Sequence, residues 1–195
     1  MTLFTSRKVW VIGISLILAM AMTRGHHFAS VVALPDASLS LFFIAGAIAL
    51  PLWFFPLLVL EAVLLDFMAI NFAGVSSFCV TLAYGMLLPA YASLWFAGNV
   101  FHRFFSTKAF PVASLLLCAL VGTASYELIS SGSFYLLSGY FNEPTLSEFA
   151  DRLAKYAPSQ FKYTLIYLSV AGVIYYLASK FITAVSTKVE FYEHK

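Results

Sequence analysis

The side chains that could do chemistry lie close together in an otherwise apolar chain, in the stretch Glu61–Tyr84. This stretch carries a carboxylate (Asp66), a thiol (Cys79) and a phenol (Tyr84) on either side of a short turn that contains Gly and Ser. A thiolate is a nucleophile and a soft ligand for transition metals. A carboxylate in a spanning helix usually faces the protein interior or a water-filled cavity. The stretch is therefore the candidate site of the chain.

Two interpretations of Asp66 are equally open. Either it contacts a ligand in an outward cavity, or it has a structural partner, through a hydrogen bond between helices or an ion pair with a loop arginine. Glu61 and Glu127 lie deeper in their apolar runs, and the structural role is favoured for both. A charged group at the bilayer centre costs about 2.5–3.5 kcal/mol on insertion scales, so partners are expected.

Cys79 is the most informative residue of the stretch. Ser76 or Ser77 can cap the helix that follows, which places Cys79 in its first turn, where a helix N-terminus favours the thiolate. The commoner fate of a lone membrane cysteine is a small buried hydrophobe, and Cys118 is assigned that role. Tyr84 lies about 140° from Cys79 around an ideal helix, so the two share only a wide ligand or one that reaches between helices.

His26 and His27 precede this stretch. Adjacent residues seldom ligate one ion together, so a metal site made by both is not expected. One of them can line a cavity, and a solvated pair in a loop is the favoured alternative.

The composition decides the class of protein. Of the 195 residues, 62% are hydrophobic and 10% are charged, which is too apolar for a soluble domain and typical of an integral membrane protein. We expect an all-α protein with one membrane domain over residues 1–195, surrounded by lipid. A net charge of +2 gives no reason to expect a nucleic-acid partner.

Six apolar runs predict six transmembrane helices. Their approximate bounds are 8–23, 38–50, 52–72, 77–104, 110–138 and 161–185. Six spans with both termini in the cytoplasm put seven Lys and Arg residues inside and four outside, and five spans remove this bias. The positive-inside rule therefore favours six. In this topology Asp66, Cys79 and Tyr84 lie in the outer half of the membrane.

Two further features are expected on the outer face. Asp36 is expected to cap the second helix. Residues 145–156 predict a short amphipathic helix, with Thr145 and Glu148 as a capping box and Pro158 beyond its end. Its apolar stripe indicates that it rests flat on the surface, where it can act as a lid.

Several segments, taken in order along the whole chain, are similar to one family of membrane proteins. They are Thr23–Phe28, Leu34–Ser38, Leu65–Phe67, Cys79 and Tyr84. This set resembles the BtuM family of predicted cobalamin transporters, which are small inner-membrane proteins of bacteria related to the substrate-binding S-components of energy-coupling factor transporters. The resemblance implies an S-component-like bundle of six helices.

The resemblance also implies that cobalamin binds in a cavity open to the periplasm. Cys79 matches the family's cysteine and would ligate cobalt from the lower axial side. That ligation weakens a cyanide on the opposite face, which makes decyanation of cyanocobalamin an added activity of a protein that is primarily a transporter. Asp66, Tyr84, His27 and Arg152 match polar family positions expected around the corrin amides.

Two matters stay open. Many S-components contact a shared energising module through an Ala-x-x-x-Ala pattern on the first helix, where this chain has Ser15, Ala19 and Thr23. Docking on such a module and working alone are therefore both compatible with the sequence. The alternative functions are transport of another vitamin, with Cys79 only packing, and a membrane thiol enzyme or haem-handling protein. The enzyme is disfavoured because no second catalytic group lies beside Cys79 at helical spacing.

Overall fold

The computed structural model describes the backbone of residues 6–24, 34–106 and 111–193, and side chains at 7–24, 34–78, 80–106 and 111–181. The described residues are helical between turns and contain no β-strand, which confirms the all-α prediction. They form six α-helices: α1 (Ser6–Arg24), α2 (Ser38–Ala47), α3 (Phe54–Phe72), α4 (Leu87–Val100), α5 (Pro111–Leu137) and α6 (Leu146–Glu193).

Three segments among the described residues are long and apolar enough to cross a membrane. They are Phe54–Phe72, Pro111–Leu137 and Leu146–Phe181. In contrast, α2 has ten residues, which is about 15 Å of helix against a hydrocarbon core of about 30 Å. The chain thus has the helices of a membrane protein, while six complete spans and cytoplasmic termini remain predictions.

The second and third apolar runs form two separate helices, as the six-helix count required. α2 ends at Ala47, three residues before its predicted end, and α3 begins at Phe54. Pro51 lies in the turn between them, where its missing N–H cannot continue a helix. Ala49 takes a positive φ of 52° in the same turn, a conformation that a helix cannot contain.

The fourth predicted helix, 77–104, begins differently. Its first ten residues contain two short 3₁₀ turns, Ser77–Cys79 and Leu82–Met86, and the α-helix starts only at Leu87. Pro89 explains the difference, because it has no N–H to bond the carbonyl of Gly85 and its ring would clash with that carbonyl. At the other end, α4 continues into a π-helical turn, Phe101–Phe105, so the predicted end is close to the observed one.

The short helix 145–156 and the sixth span 161–185 are one continuous helix, α6, rather than two. Pro158 lies inside α6 and does not end it. A proline within a helix removes one hydrogen bond, here to the carbonyl of Ala154, and kinks the helix without ending it when the turns on both sides are otherwise complete. The segment expected to lie flat as a separate lid is therefore the first part of a long helix.

The core lies where α2 and α5 pack on either side of α4. Two glycines let α2 and α4 approach closely. A methyl group at Gly46 would overlap the carbonyl oxygen of Trp95, and one at Gly98 would overlap that of Phe43. Small residues at crossings of this kind let the backbones of membrane helices approach and pack closely. This contact fixes α4, and with it the segment that leads into α4.

Candidate functional site

Asp66 forms a bidentate ion pair with Arg24 at one end of the bundle. Arg24 is the last residue of α1, and Asp66 lies in the last two turns of α3. The Arg24 Nε and Nη2 groups donate to Asp66 Oδ1 and Oδ2, both at 2.8 Å. The arginine side chain is 9% exposed and the aspartate side chain 26%, so little water screens the pair. Asp66 thus has the structural partner that one interpretation required, at a helix end rather than in a loop.

The other side of the Arg24 guanidinium binds groups from α2 and α4. Its Nη1 group donates to Tyr91 Oη at 2.7 Å and to Ser38 Oγ at 2.9 Å. Asp36 Oδ2 lies 3.5 Å from the same nitrogen. A cation is also favourable at the C-terminus of α1, where the helix dipole is negative. One arginine therefore connects α1 with α2, α3 and α4.

Tyr84, in the second 3₁₀ turn, adds a third bond to the same carboxylate. Its hydroxyl donates to Asp66 Oδ2 at 2.7 Å. Two of the predicted binding residues are therefore bonded to each other, and the carboxylate accepts three hydrogen bonds. We refer to the connected residues as the arginine network, which consists of Arg24, Asp36, Ser38, Asp66, Tyr84 and Tyr91.

A cavity of about 460 Å³ lies beside the arginine network, at the end of the bundle where α1 and α3 end and α6 begins. Asp66, Tyr84 and Arg152 all line it. Three of the predicted binding residues, from three separate segments, therefore lie in one cavity wall. The volume falls within the range of about 300–1,000 Å³ that small-molecule sites occupy. Their contact with a ligand stays a prediction.

Aromatic rings form much of the remaining wall of this cavity. They are Phe78, Phe134, Tyr135, Phe149 and Tyr156. Tyr135 stacks on Phe149 with ring centroids 5.6 Å apart, and Phe78 stacks at 4.3 Å on Tyr140, next to the cavity. The cavity thus combines apolar ring faces with a few fixed polar groups, the combination that orients an organic ligand.

Arg152 is held loosely at the cavity wall. Its guanidinium carbon lies 4.5 Å from the centre of the Phe141 ring, and its Nη1 lies 4.0 Å from Glu148 Oε1. The side chain is 39% exposed, and exposed pairs of this kind contribute little to stability. The guanidinium can therefore turn toward a ligand at little cost.

The start of α6 is fixed to α5 by a modified capping box. Glu148 N–H donates to Thr145 Oγ1 at 3.3 Å, as the sequence predicted. The return bond runs through Tyr135, whose hydroxyl accepts from Thr145 N–H at 2.8 Å and donates to Glu148 Oε2 at 2.9 Å. Two walls of the cavity are therefore tied together by one phenol.

Cys79 ends the first 3₁₀ turn and directly follows Phe78, which lines the cavity. Ser76 Oγ accepts from Phe78 N–H at 3.2 Å, but it caps the 3₁₀ turn Ser77–Cys79 rather than the predicted fourth helix, which begins at Leu87. The Cys79 side chain and the whole of His27, with its neighbour His26, lie outside the described residues. Their proposed roles as cobalt ligand and cavity-lining residue stay predictions.

Two arguments made from an ideal helix at Cys79 are wrong. A single 3₁₀ turn has no macrodipole comparable to that of an α-helix, so this reason for a thiolate no longer applies. Val80 and Thr81 separate the two 3₁₀ turns, so the angle of about 140° between Cys79 and Tyr84 does not describe this segment. A wide ligand is therefore not required by the backbone.

The other acidic residues of the sequence prediction have mixed outcomes. Glu127 is buried and accepts a hydrogen bond from Ser131 Oγ at 3.0 Å, which fits its structural role. Glu61 Oε2 is shielded from solvent and has no partner among the described residues. The N-cap of α2 is Ala37 rather than the predicted Asp36. Asp36 lies one residue earlier, and its Oδ1 accepts from Ser38 N–H at 2.8 Å.

The centre of the arginine network was not predicted from the sequence. In the sequence prediction Arg24 is one of the four outer basic residues and lies in the segment Thr23–Phe28 that carries the resemblance, and neither Tyr91 nor Ser38 has an assigned role. A signal existed for Arg24, because it ends one apolar run while Asp36 precedes the next, and two opposite charges at adjoining helix ends are well placed to pair. Nothing in the sequence distinguishes Tyr91 from the other aromatic residues.

Comparison of the chain with protein-family models gives no match, and comparison with curated proteins gives none either. Among the described side chains, no group of three or more His, Cys, Asp or Glu residues could hold a metal ion. The resemblance to cobalamin transporters therefore rests on the residues of this chain.

Proposed function

We propose that the protein is a multi-pass transporter of the bacterial inner membrane that binds cobalamin in the cavity beside the arginine network. The observation that carries this proposal is the shared wall. Asp66, Tyr84 and Arg152 were each matched to polar positions of a cobalamin-transporter family, and all three line one cavity. Phe78, the residue before Cys79, lines it as well.

The chemistry of the wall suits a corrin. The macrocycle is flat and largely apolar, and it is edged by amide groups. Rings such as Phe78 and Tyr135 can pack against its faces. The Asp66 carboxylate can accept from amide N–H groups, and Arg152 can donate to amide carbonyls.

The cavity holds less than a whole cobalamin. In the proposed complex the corrin occupies the cavity of about 460 Å³ and the nucleotide portion extends through its open mouth. A larger share of the ligand enters if the first part of α6, which carries Arg152, moves outward. This arrangement requires no break in the arginine network.

Cys79 supplies the proposed bond to cobalt. Its thiolate donates an electron pair to Co(III) and replaces the lower axial base of cyanocobalamin. The bond between cobalt and cyanide on the opposite face would weaken, and cyanide would leave with its own electron pair. It would take up the proton that the Cys79 thiol gives up, forming hydrogen cyanide, while a water molecule fills the vacated position on cobalt. The cobalt keeps its oxidation state, so this decyanation is a ligand exchange that needs no reductant.

The proposed topology has six spans with both termini in the cytoplasm, which makes the cavity face the periplasm. Support comes from the three helices long enough to cross a membrane and from the excess of Lys and Arg expected on the cytoplasmic side. An impermeant thiol reagent added from the periplasmic side tests the orientation. Labelling at Cys79 that is lost in Cys79→Ala is expected, and labelling only after the membrane is opened contradicts it.

The binding proposal is tested by the visible spectrum of purified protein mixed with cyanocobalamin. We expect a coloured complex whose absorption bands differ from those of the free vitamin. Cys79→Ala should return the spectrum to that of free cyanocobalamin. Cys118→Ala is the matched control, because Cys118 is a cysteine of α5 that does not line the cavity, and it should leave the spectrum unchanged.

The outcomes separate the alternatives. Protein that takes up no cobalamin rules out the proposal and leaves transport of another vitamin as the next hypothesis. Binding with a spectrum that Cys79→Ala does not change refutes the cobalt–thiolate bond alone. Rescue of cells that depend on imported cobalamin tests transport. Repeating the rescue with and without a coexpressed energising module shows whether the protein works alone.

A further inference from the structure

A second cavity, of about 750 Å³, opens at the opposite end of the bundle. It lies between the turn that joins α2 to α3 and the last turns of α4 with the π-helical turn. Its walls are mostly apolar, and the side chains that define it are Leu50, Leu52, Phe55, Trp95, Phe96 and Phe104. We call this cavity the basal groove. Leu52, Phe96 and Phe104 are exposed, so the groove continues onto the apolar surface of the bundle.

The basal groove has one charged side chain, Arg103, in its lining. Arg103 is exposed and has no ion-pair partner among the described side chains. Its neighbour His102 contacts the carbonyl oxygen of Ala47 through Nδ1 at 3.0 Å. The π-helical turn is thereby fixed against the end of α2, and turns of this kind are frequent at functional sites. An arginine is thus held at the edge of an apolar groove.

Among the described side chains, the charged groups around the basal groove are basic. Arg7 and Lys8 begin α1 at this end of the bundle, and no described side chain of α1, the α2–α3 turn or the π-helical turn is acidic. Glu61 is the nearest carboxylate along α3, about 10 Å along the helix axis from Phe54. The surroundings of the groove therefore favour an anion.

We propose that the basal groove binds an anionic phospholipid, with an acyl chain between α3 and α4 and the phosphate on Arg103. The apolar walls suit a hydrocarbon chain. The planar guanidinium suits a phosphate, which it can bind through two N–H donors. Among the residues that the structure describes, the two cavities share no lining residue, so lipid binding in the basal groove is tested independently of cobalamin binding.

Lipid titration of the purified protein in detergent tests this site. The probes are dioleoyl-phosphatidylglycerol and dioleoyl-phosphatidylcholine, and native mass spectrometry counts the lipid that each protein molecule retains. The wild type should bind phosphatidylglycerol more tightly. Arg103→Ala should weaken that binding by about tenfold, because a hydrogen-bonded charge pair contributes about that factor. Arg103→Lys should keep part of the preference.

Two further variants locate the site. Ala92 lines the groove, so Ala92→Phe should block the acyl chain and lower retention of both lipids. Lys162→Ala removes an exposed charge on α6 far along the chain from the groove and should change neither. The proposal is overturned if the wild type has no preference for phosphatidylglycerol, if Arg103→Ala keeps the preference, if Ala92→Phe leaves retention unchanged, or if Lys162→Ala has the same effect as Arg103→Ala.

Discussion

Removal of the Asp66 carboxylate should destabilise the protein well beyond the effect of an ordinary surface mutation. In Asp66→Ala, the Arg24 guanidinium loses two hydrogen bonds of 2.8 Å, and Tyr84 loses one of 2.7 Å. The Arg24 side chain is 9% exposed in the wild type. After the substitution, the carboxylate that remains near it is Asp36, at 3.5 Å. The variant therefore leaves a buried cation with one distant counter-ion.

The expected size follows from these contacts. Breaking a buried ion pair by removing one partner costs about 3–5 kcal/mol. Asp66 is 26% exposed, so water can replace part of the loss and the lower limit applies, about 3 kcal/mol. For a chain of this size about 1 kcal/mol shifts the unfolding midpoint by about 2–4 °C. The midpoint in detergent should therefore fall by about 6–12 °C.

A double-mutant cycle separates this pair from general damage at the site. Arg24→Ala with Asp66→Ala should be less destabilised than the sum of the two single variants, by about 1–3 kcal/mol, because neither member of the Arg24–Asp66 pair is then left without the other. The matched control is the exposed pair Arg152 and Glu148, at 4.0 Å, whose coupling should stay below about 1 kcal/mol. An unfolding midpoint of Asp66→Ala within about 1 °C of the wild type would refute the reasoning. Even at the smallest response, about 2 °C per kcal/mol, a loss of about 3 kcal/mol lowers the midpoint by about 6 °C.

Two further predictions concern packing and the start of α6. Gly98→Ala should lower the unfolding midpoint by a few degrees, because the new methyl group meets the Phe43 carbonyl and overpacking costs about 1–3 kcal/mol. Gly172→Ala, in α6 with open space around it, should instead be neutral or stabilising by up to about 1 kcal/mol, and equal effects of the two variants would contradict the packing argument. Tyr135→Phe should speed hydrogen exchange in the first turn of α6, since it removes the phenol that bonds Glu148; unchanged exchange there would show that the tie is unimportant.

The sequence predicted the parts of the fold that depend on local pattern. The observed α3 and α5 lie within two residues of the predicted runs 52–72 and 110–138, because continuous apolar stretches of that length are unambiguous. Hydropathy alone does not predict the start of α4, because it does not record the missing N–H of Pro89. The continuity of α6 through Pro158 could not be read locally, since a proline is compatible with either an end or a kink.

The site was predicted in its members but not in its bonds. Charge and polarity within apolar runs identified Asp66 and Tyr84, and the resemblance added Arg152. The partner of Asp66 is 42 residues away in sequence, and only tertiary packing decides which of the available arginines reaches it. From the sequence, the ligand-binding and the structural interpretations of Asp66 are equally open. The ion pair with Arg24 supports the structural interpretation.

Because α6 continues through Pro158 without a break, a change of bend at the proline would move the part of the helix before it as one segment. Arg152 lies in the shorter part of α6, six residues before the proline, or about 9 Å along the axis. The longer part after the proline contains the predicted sixth span, 161–185. A bend of about 20° introduced at Pro158 would displace Arg152 by about 3 Å. The Tyr135 hydroxyl bonds Glu148 and Thr145 at the start of α6. Breaking these two hydrogen bonds would let the cavity widen without unwinding a helix.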